Sequence, residues 1–158
     1  MDNYIVKSIG KVVACDNDVS IHLKKEFIDA LLGLDGFGYI QVLWWFNNCD
    51  NNEMRATLTE NNPYRKGPDI LGTFATRSPE RPNPIALTTA YVTHIDHKNG
   101  IIRLGYIDAD NGSPILDIKP YTPSLDRVEN PIVPNWCAHW PTCNEDSGNF
   151  DWVNEFNF

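Results

Sequence analysis

Three prolines stand within six residues, at Pro79, Pro82 and Pro84, and no other stretch limits the fold as sharply. Proline fixes φ and carries no amide hydrogen, so this segment can be neither a helix interior nor a central strand. It must be a rigid loop. On both sides of it the apolar residues come in short β-branched and aromatic runs, punctuated by glycine, asparagine and proline. Strands are expected at residues 6–13, 39–47, 54–58, 70–75, 85–94, 101–106 and 114–118, with turns at Asp16-Asn17-Asp18 and over residues 47–52. Only residues 24–32 show helical spacing, through Phe27, Ile28, Leu31 and Leu32, and Gly33 should end that short helix. The pattern is mainly β, a small barrel or sandwich in one domain over residues 1–158.

Composition adds mostly exclusions. Hydrophobic residues make up 42% and charged residues 22% of the chain, which argues for a globular protein and against disorder. The longest apolar run, residues 40–46, is far below the ~20 residues of a membrane-spanning helix, and acidic Asp2 with no apolar core after it is no signal peptide. No membrane association and a cytoplasmic location are therefore expected. Cys15, Cys49, Cys137 and Cys143 fall at irregular spacings, which fits reduced thiols. No metal is expected, because the run from Cys137 through His139 to Cys143 contains no C-x-x-C pair. No serine sits in a G-x-S-x-G elbow and the four histidines form no H-x-x-x-H pair, so hydrolase readings fall. A net charge of −8 argues against generic adhesion to nucleic acid, which depends on neutralising phosphates. The tail from residue 120 onward, rich in proline and aromatics, is expected as an irregular segment wrapped on the barrel.

The rigid loop holds Thr76, Arg77, Ser78, Arg81 and Asn83 in defined directions, as a site for a polar ligand requires. On these residues alone, a stiff surface turn whose arginines make salt bridges is the ordinary alternative. Residues 72–88 read G-T-F-A-T-R-S-P-E-R-P-N-P-I-A-L-T. The core of that string resembles the signature of the TrmO (TsaA, YaeB)-like methyltransferase family. Residues 31–46, L-L-G-L-D-G-F-G-Y-I-Q-V-L-W-W-F, and residues 117–123, D-I-K-P-Y-T-P, are similar to two further segments of the same family in the same order. The opening Ser8-Ile9-Gly10-Lys11-Val12 is a weaker fourth match, and the similarity spans about residues 4–123. Two positions depart from the family pattern: Ala86 stands where glycine follows P-N-P-I, and Gly38-Tyr39 where Ser-His is common.

The resemblance implies a single-domain β-barrel that forms homodimers, binds S-adenosyl-L-methionine and methylates the exocyclic nitrogen of threonylcarbamoyl-adenosine beside the tRNA anticodon. A small-molecule or protein acceptor, or binding without turnover, are the alternatives. The cofactor-binding residues it implies are Phe74, Ala75, Thr76, Arg77, Ser78, Arg81, Pro82, Asn83, Pro84, Ile85, Asp117, Lys119 and Tyr121. A planar guanidinium suits a bidentate carboxylate, so Arg77 and Arg81 are the expected charged contacts to the cofactor or to a partner subunit. Ser78 and Asn83 suit ribose or adenine edges, and Phe74 and Tyr121 suit stacking, with a place in the core as the alternative for each aromatic. Asp117 and Tyr121 are the catalytic candidates. Asp117 alternates with Lys119 and Tyr121 along one strand face, and a plain salt bridge there is the competing role.

Overall fold

The computed structural model describes residues 4–15 and 18–157. Eight strands occur in it: β1 (Gly10–Cys15), β2 (Asp18–Leu23), β3 (Tyr39–Trp45), β4 (Thr59–Asn61), β5 (Ile70–Gly72), β6 (Ile85–Asp96), β7 (Ile101–Leu104) and β8 (Pro114–Pro120). Six of them close an antiparallel barrel in the order β1-β2-β7-β6-β3-β8, with β8 pairing back onto β1. The expected small β-barrel is thus present. The chain forms two compact units, Met1–Asp50 with Pro84–Arg127 and Asn51–Asn83 with Val128–Phe158.

The barrel unit follows from alternation. Along β3, Ile40, Val42 and Trp44 are buried while Tyr39, Gln41, Leu43 and Trp45 are only half-buried, the period of two that a pleated strand with one core face must show. Val12, Ile21, Ile102 and Ile115 complete an aliphatic interior from the neighbouring strands. Trp44 belongs to this core, and its indole N–H donates to Thr88 Oγ1 at 3.0 Å, which removes the penalty of burying that donor. Ala86, where the family pattern has glycine, puts its methyl group into the same interior directly opposite Trp44. Gly10 has no such freedom, because a Cβ there would collide with the carbonyl oxygen of His22 on β2.

Several expected elements shift. The opening strand starts at Gly10, leaving Val6 exposed ahead of it. Residues 18–23 form β2, where no strand was expected, and Cys15 pairs with Asp18 across residues 16 and 17. The expected turn there falls largely on Asp16 and Asn17, which lie outside the described residues. The one expected helix is a 3-10 helix, Lys25–Leu31, with no side-chain cap at its start. Gly33 follows it in the left-handed region, φ 81°. Residues 54–58 are not a strand: Asn51 accepts a hydrogen bond from the Met54 amide at 2.9 Å and so caps a single helical turn, Asn52–Arg55. Residues 70–75 are a strand only as far as Gly72, and Thr73–Ala75 is a 3-10 turn.

The second unit owes little to strands. β4 and β5 make a short two-stranded sheet, and the tail supplies only single turns at Asn135–Cys137, Asn144–Ser147 and Trp152–Glu155. Its interior is aromatic. Tyr64 stacks on Trp136 at 5.2 Å and meets Trp140 edge-on at 5.1 Å and Phe156 at 5.7 Å, while Trp152 packs on Trp140 and Phe150. The tail's aromatics therefore find their partners in Tyr64 and in one another. Glu155 is buried among them. It accepts from Trp140 Nε1 at 2.9 Å and faces His139 Nε2 at 2.9 Å. Burial pushes its carboxyl up, but those two hydrogen bonds together outweigh burial and hold it below the usual range.

Candidate functional site

The proline-rich loop lies in the second unit as far as Asn83, and its shape has a chemical cause. Proline at 79 and 82 removes amide donors, which leaves the loop with more carbonyl oxygens than it can pair with its own N–H groups. Arginine makes up the deficit. Arg81 Nε donates to Ser78 O at 2.6 Å, and its Nη2 donates to Thr76 O at 2.8 Å and faces Thr73 O at 3.4 Å. Arg55 Nη1 donates to Pro82 O at 3.2 Å. The fork of Arg81 is thus turned inward as a brace of the loop, rather than held out toward a ligand.

A second set of bonds fixes the start of the loop. Thr73 and Thr76 are buried, unusual for threonine in a surface connection. Thr73 donates its amide to Leu58 O and its hydroxyl to Thr57 O, both at 3.0 Å. The Thr76 hydroxyl lies 2.8 Å from Glu60 Oε1 and 2.9 Å from Thr73 O, and accepts from the Ser78 amide at 3.2 Å. The Ser78 hydroxyl in turn accepts from the Glu80 amide at 3.2 Å. Thr76 is therefore a structural residue of the loop, with Ser78 half-buried behind it.

What the loop turns outward is a different set: Phe74, Ala75, Arg77 and Asn83 are exposed. Phe74 is 85% exposed, a large aromatic ring at the tip of a loop that is otherwise tightly bonded. Pro82 is half-buried in the same unit.

Pro84, Ile85, Asp117, Lys119 and Tyr121 belong to the barrel unit. Pro84 is fully buried and accepts the Phe46 amide at 2.8 Å, which anchors the start of β6 beside the end of β3. Asp117 and Lys119 form an exposed ion pair at 2.6 Å, and the second Asp117 oxygen accepts the Ile118 amide at 2.9 Å. Tyr121 donates its amide to Tyr39 O at 3.0 Å, and the two rings meet edge-on at 6.4 Å. Next to Tyr121, the hydroxyl of Thr122 is buried with no hydrogen-bond partner in the structure. Asp117 and Pro120 also line one side of an open groove of about 430 Å³ whose other walls are apolar, among them Ile9, Phe27, Leu34 and Phe37.

Sequence reasoning identified the loop and the Asp117 segment but not the groups that hold them. Arg55 and Glu60 lie in no motif, and Thr122, inside the D-I-K-P-Y-T-P stretch, has no chemistry that marks it out there. The one available hint was the donor deficit that prolines create, which calls for a nearby arginine without saying which. No three histidine, cysteine or acidic side chains come together as a metal site among the described residues. No helix is long and apolar enough to cross a membrane, again among the described residues.

Comparison with known proteins adds four findings. The family model described as the tRNA-methyltransferase O N-terminal domain matches residues 10–127, which include the barrel, the proline-rich loop and the Asp117 segment. A probable S-adenosyl-L-methionine-binding protein of Methanocaldococcus jannaschii is 40% identical over 129 residues, covering 78% of this chain and 96% of that protein. The tRNA (adenine(37)-N6)-methyltransferase of Escherichia coli is 33% identical over 121 residues, covering 75% of this chain but only 51% of the enzyme. A crystal structure of TrmO from Pseudomonas aeruginosa superposes with a TM-score of 0.65 at 25% identity, over 84% of this chain and 61% of that one.

Proposed function

The chain belongs to the tRNA-methyltransferase O N-terminal domain family, and on that premise we propose that it is a cytoplasmic, homodimeric S-adenosyl-L-methionine-dependent methyltransferase. Its acceptor in this reading is the exocyclic nitrogen of threonylcarbamoyl-adenosine beside the tRNA anticodon. The observation that carries the proposal is the loop of the second unit, whose backbone is fixed in advance and whose exposed side chains are a guanidinium, an amide and an aromatic ring. That set suits the amino acid end, ribose and adenine of the cofactor, and a loop already ordered loses little entropy on binding.

S-adenosyl-L-methionine supplies a methyl group on a positively charged sulfur, so what the protein must add is chiefly alignment. Arg77 is assigned to the cofactor carboxylate, Phe74 to stacking, and Asn83 and Ser78 to ribose and base edges. Arg81, Thr76 and Pro82 support these residues. In the barrel, the orphaned Thr122 hydroxyl beside Tyr121 marks a place where a polar group of a ligand would complete the hydrogen bonding. Asp117 is the candidate base and Tyr121 an orienting group. Arg65 and Lys66, exposed in the second unit, are assigned to RNA phosphates.

The test is incubation with methyl-labelled cofactor and modified tRNA over a range of salt. Label should enter the RNA at low salt and fall steeply as salt rises, with log affinity dropping by roughly 0.7–0.9 per released counterion for each decade. One observation favours a second reading: the Methanocaldococcus relative, which this chain spans almost completely, is described as a binding protein. Cofactor binding by calorimetry with no label in RNA or in any cell metabolite would establish that reading instead.

A further inference from the structure

We infer that Asp126 is a positioning residue that fixes Tyr121 in the site, a conclusion that rests on the orienting role proposed for Tyr121. Tyr121 is the first residue beyond β8, where the ladder of the barrel has ended. Both peptide groups that flank it are nevertheless held. Its own N–H donates to Tyr39 O at 3.0 Å. The peptide group that follows, which joins Tyr121 to Thr122, donates its N–H to Asp126 Oδ2 at 2.6 Å. The other carboxylate oxygen, Asp126 Oδ1, accepts from Gln41 Nε2 at 3.1 Å. Tyr39 and Gln41 stand two residues apart on β3, so Tyr121 is suspended from two points of one strand, one reached directly and the other through Asp126.

Asp126 closes the single helical turn Pro123–Asp126, which is too short to be stable by itself. The residue ahead of such a turn, here Thr122, ordinarily caps it with its side-chain oxygen. Thr122 makes no capping bond, and its hydroxyl is buried without a partner in the structure. Asp126 supplies the reciprocal half of the capping box instead, reaching back to the Thr122 amide, while Leu125 N and Asp126 N donate to Thr122 O at 3.0 and 2.9 Å. An ionised carboxylate suits two N–H donors, because it has two oxygens and only accepts. Asp126 and Gln41 are both half-buried, which limits competition from water.

With the N–H of Tyr121 fixed on one side and the following peptide plane fixed on the other, φ and ψ of Tyr121 are both set, and so is the direction in which its side chain leaves the backbone. The ring then meets Tyr39 edge-on at 6.4 Å. Misplacing an aligned group by an ångström can slow a reaction about a hundredfold, so a residue that touches no reacting atom can still govern the rate.

Asp126→Ala removes both bonds. The kcat of methyl transfer to modified tRNA should fall roughly tenfold to a hundredfold. Asp126→Asn should recover most of it, because the amide oxygen still accepts the Thr122 N–H and a turned Gln41 side chain can present its own oxygen to the new NH2 group. Gln41→Ala should lower kcat in the same direction, and combining it with Asp126→Ala should do no further damage to the link between the two residues. In a Tyr121→Phe background, which already lacks the phenol oxygen, Asp126→Ala should leave kcat where it stands. Amide exchange should quicken at Thr122 while Val42 in the barrel core exchanges as in the unaltered protein. An unchanged kcat in Asp126→Ala would overturn the inference, and so would an equal drop with tyrosine or phenylalanine at position 121, the mark of a merely structural role. If the unaltered chain transfers no methyl group, the acceptor reading falls; exchange at Thr122 that Asp126→Ala does not alter would then overturn the positioning role as well.

Discussion

The two units solve the same problem with different chemistry. The barrel buries aliphatic side chains, Val12, Ile21, Ile40, Ile102 and Ile115, behind a continuous ladder of strand hydrogen bonds. The second unit has one short two-stranded sheet, a cluster of aromatic rings, a buried glutamate, and a loop whose carbonyls are satisfied by arginine side chains. Backbone pairing in the barrel depends hardly at all on which side chains point out of it, whereas in the second unit the side chains are themselves the backbone's partners. Substitutions in the first should act mainly through volume, and those in the second through the loss of a named bond.

The largest expected effect tests the barrel side of that contrast. Ile40→Ala empties a fully buried position, and such truncations typically cost ~2–5 kcal/mol through lost burial and a residual cavity. Denaturant unfolding followed by the barrel's own signal should show this loss, and an unchanged midpoint would mean that the barrel interior is not the close-packed core described. Arg81→Ala comes next. It removes the donors for the Ser78 and Thr76 carbonyls, and hydrogen bonds to charged groups are worth ~1.5–3 kcal/mol, with the lower end fitting a half-buried guanidinium. The damage should appear as proteolytic cleavage within residues 73–83 while the barrel midpoint stays put. Arg81→Lys should rescue little, since one ammonium cannot reproduce the fork.

The smallest effect at neutral pH is expected from Glu155→Gln, which keeps an acceptor for Trp140 and removes the charge that faces His139. Because the folded carboxyl lies below its ordinary value of 4.5, the unfolded state binds more protons just below that pH. The contribution of Glu155 is thus present above about pH 4.5 and lost as the pH falls through the folded value. Acid titration followed by the fluorescence of Trp136, Trp140 and Trp152 should show a transition that the variant lacks; coincident acid midpoints would contradict the assignment.

Legibility in the sequence follows the same division. β3 is readable because alternation along one strand is a local signal, and its boundaries fall within two residues of the expected ones. β2 is written in the same code, Val19, Ile21 and Leu23 alternating with Ser20 and His22, but a reading that looks for β-branched clusters passes over it. At residues 54–58 a cap wins over strand propensity, since Asn51 supplies the acceptor that a first helical turn needs. The loop's rigidity was plain from its prolines. The partners of its arginine were not, because a guanidinium is as able to bind its own backbone as a ligand, and only geometry tells the two apart. Nothing local links residue 64 to residues 136 and 156, so the packing of the tail on Tyr64 had no trace in the sequence.

Closure of the barrel has a bearing on solubility. Among the described residues, a ring of six strands in which β8 returns to β1 gives every barrel strand a neighbour on both sides, which leaves less open edge for another chain to pair with. β4 and β5 pair only with each other among the described residues, and Ile70 on β5 is exposed, with Leu58 exposed just before β4. At high concentration, off-pathway strand addition should therefore begin at that small sheet, which makes Ile70 the natural place for a lysine when the protein must be kept dispersed.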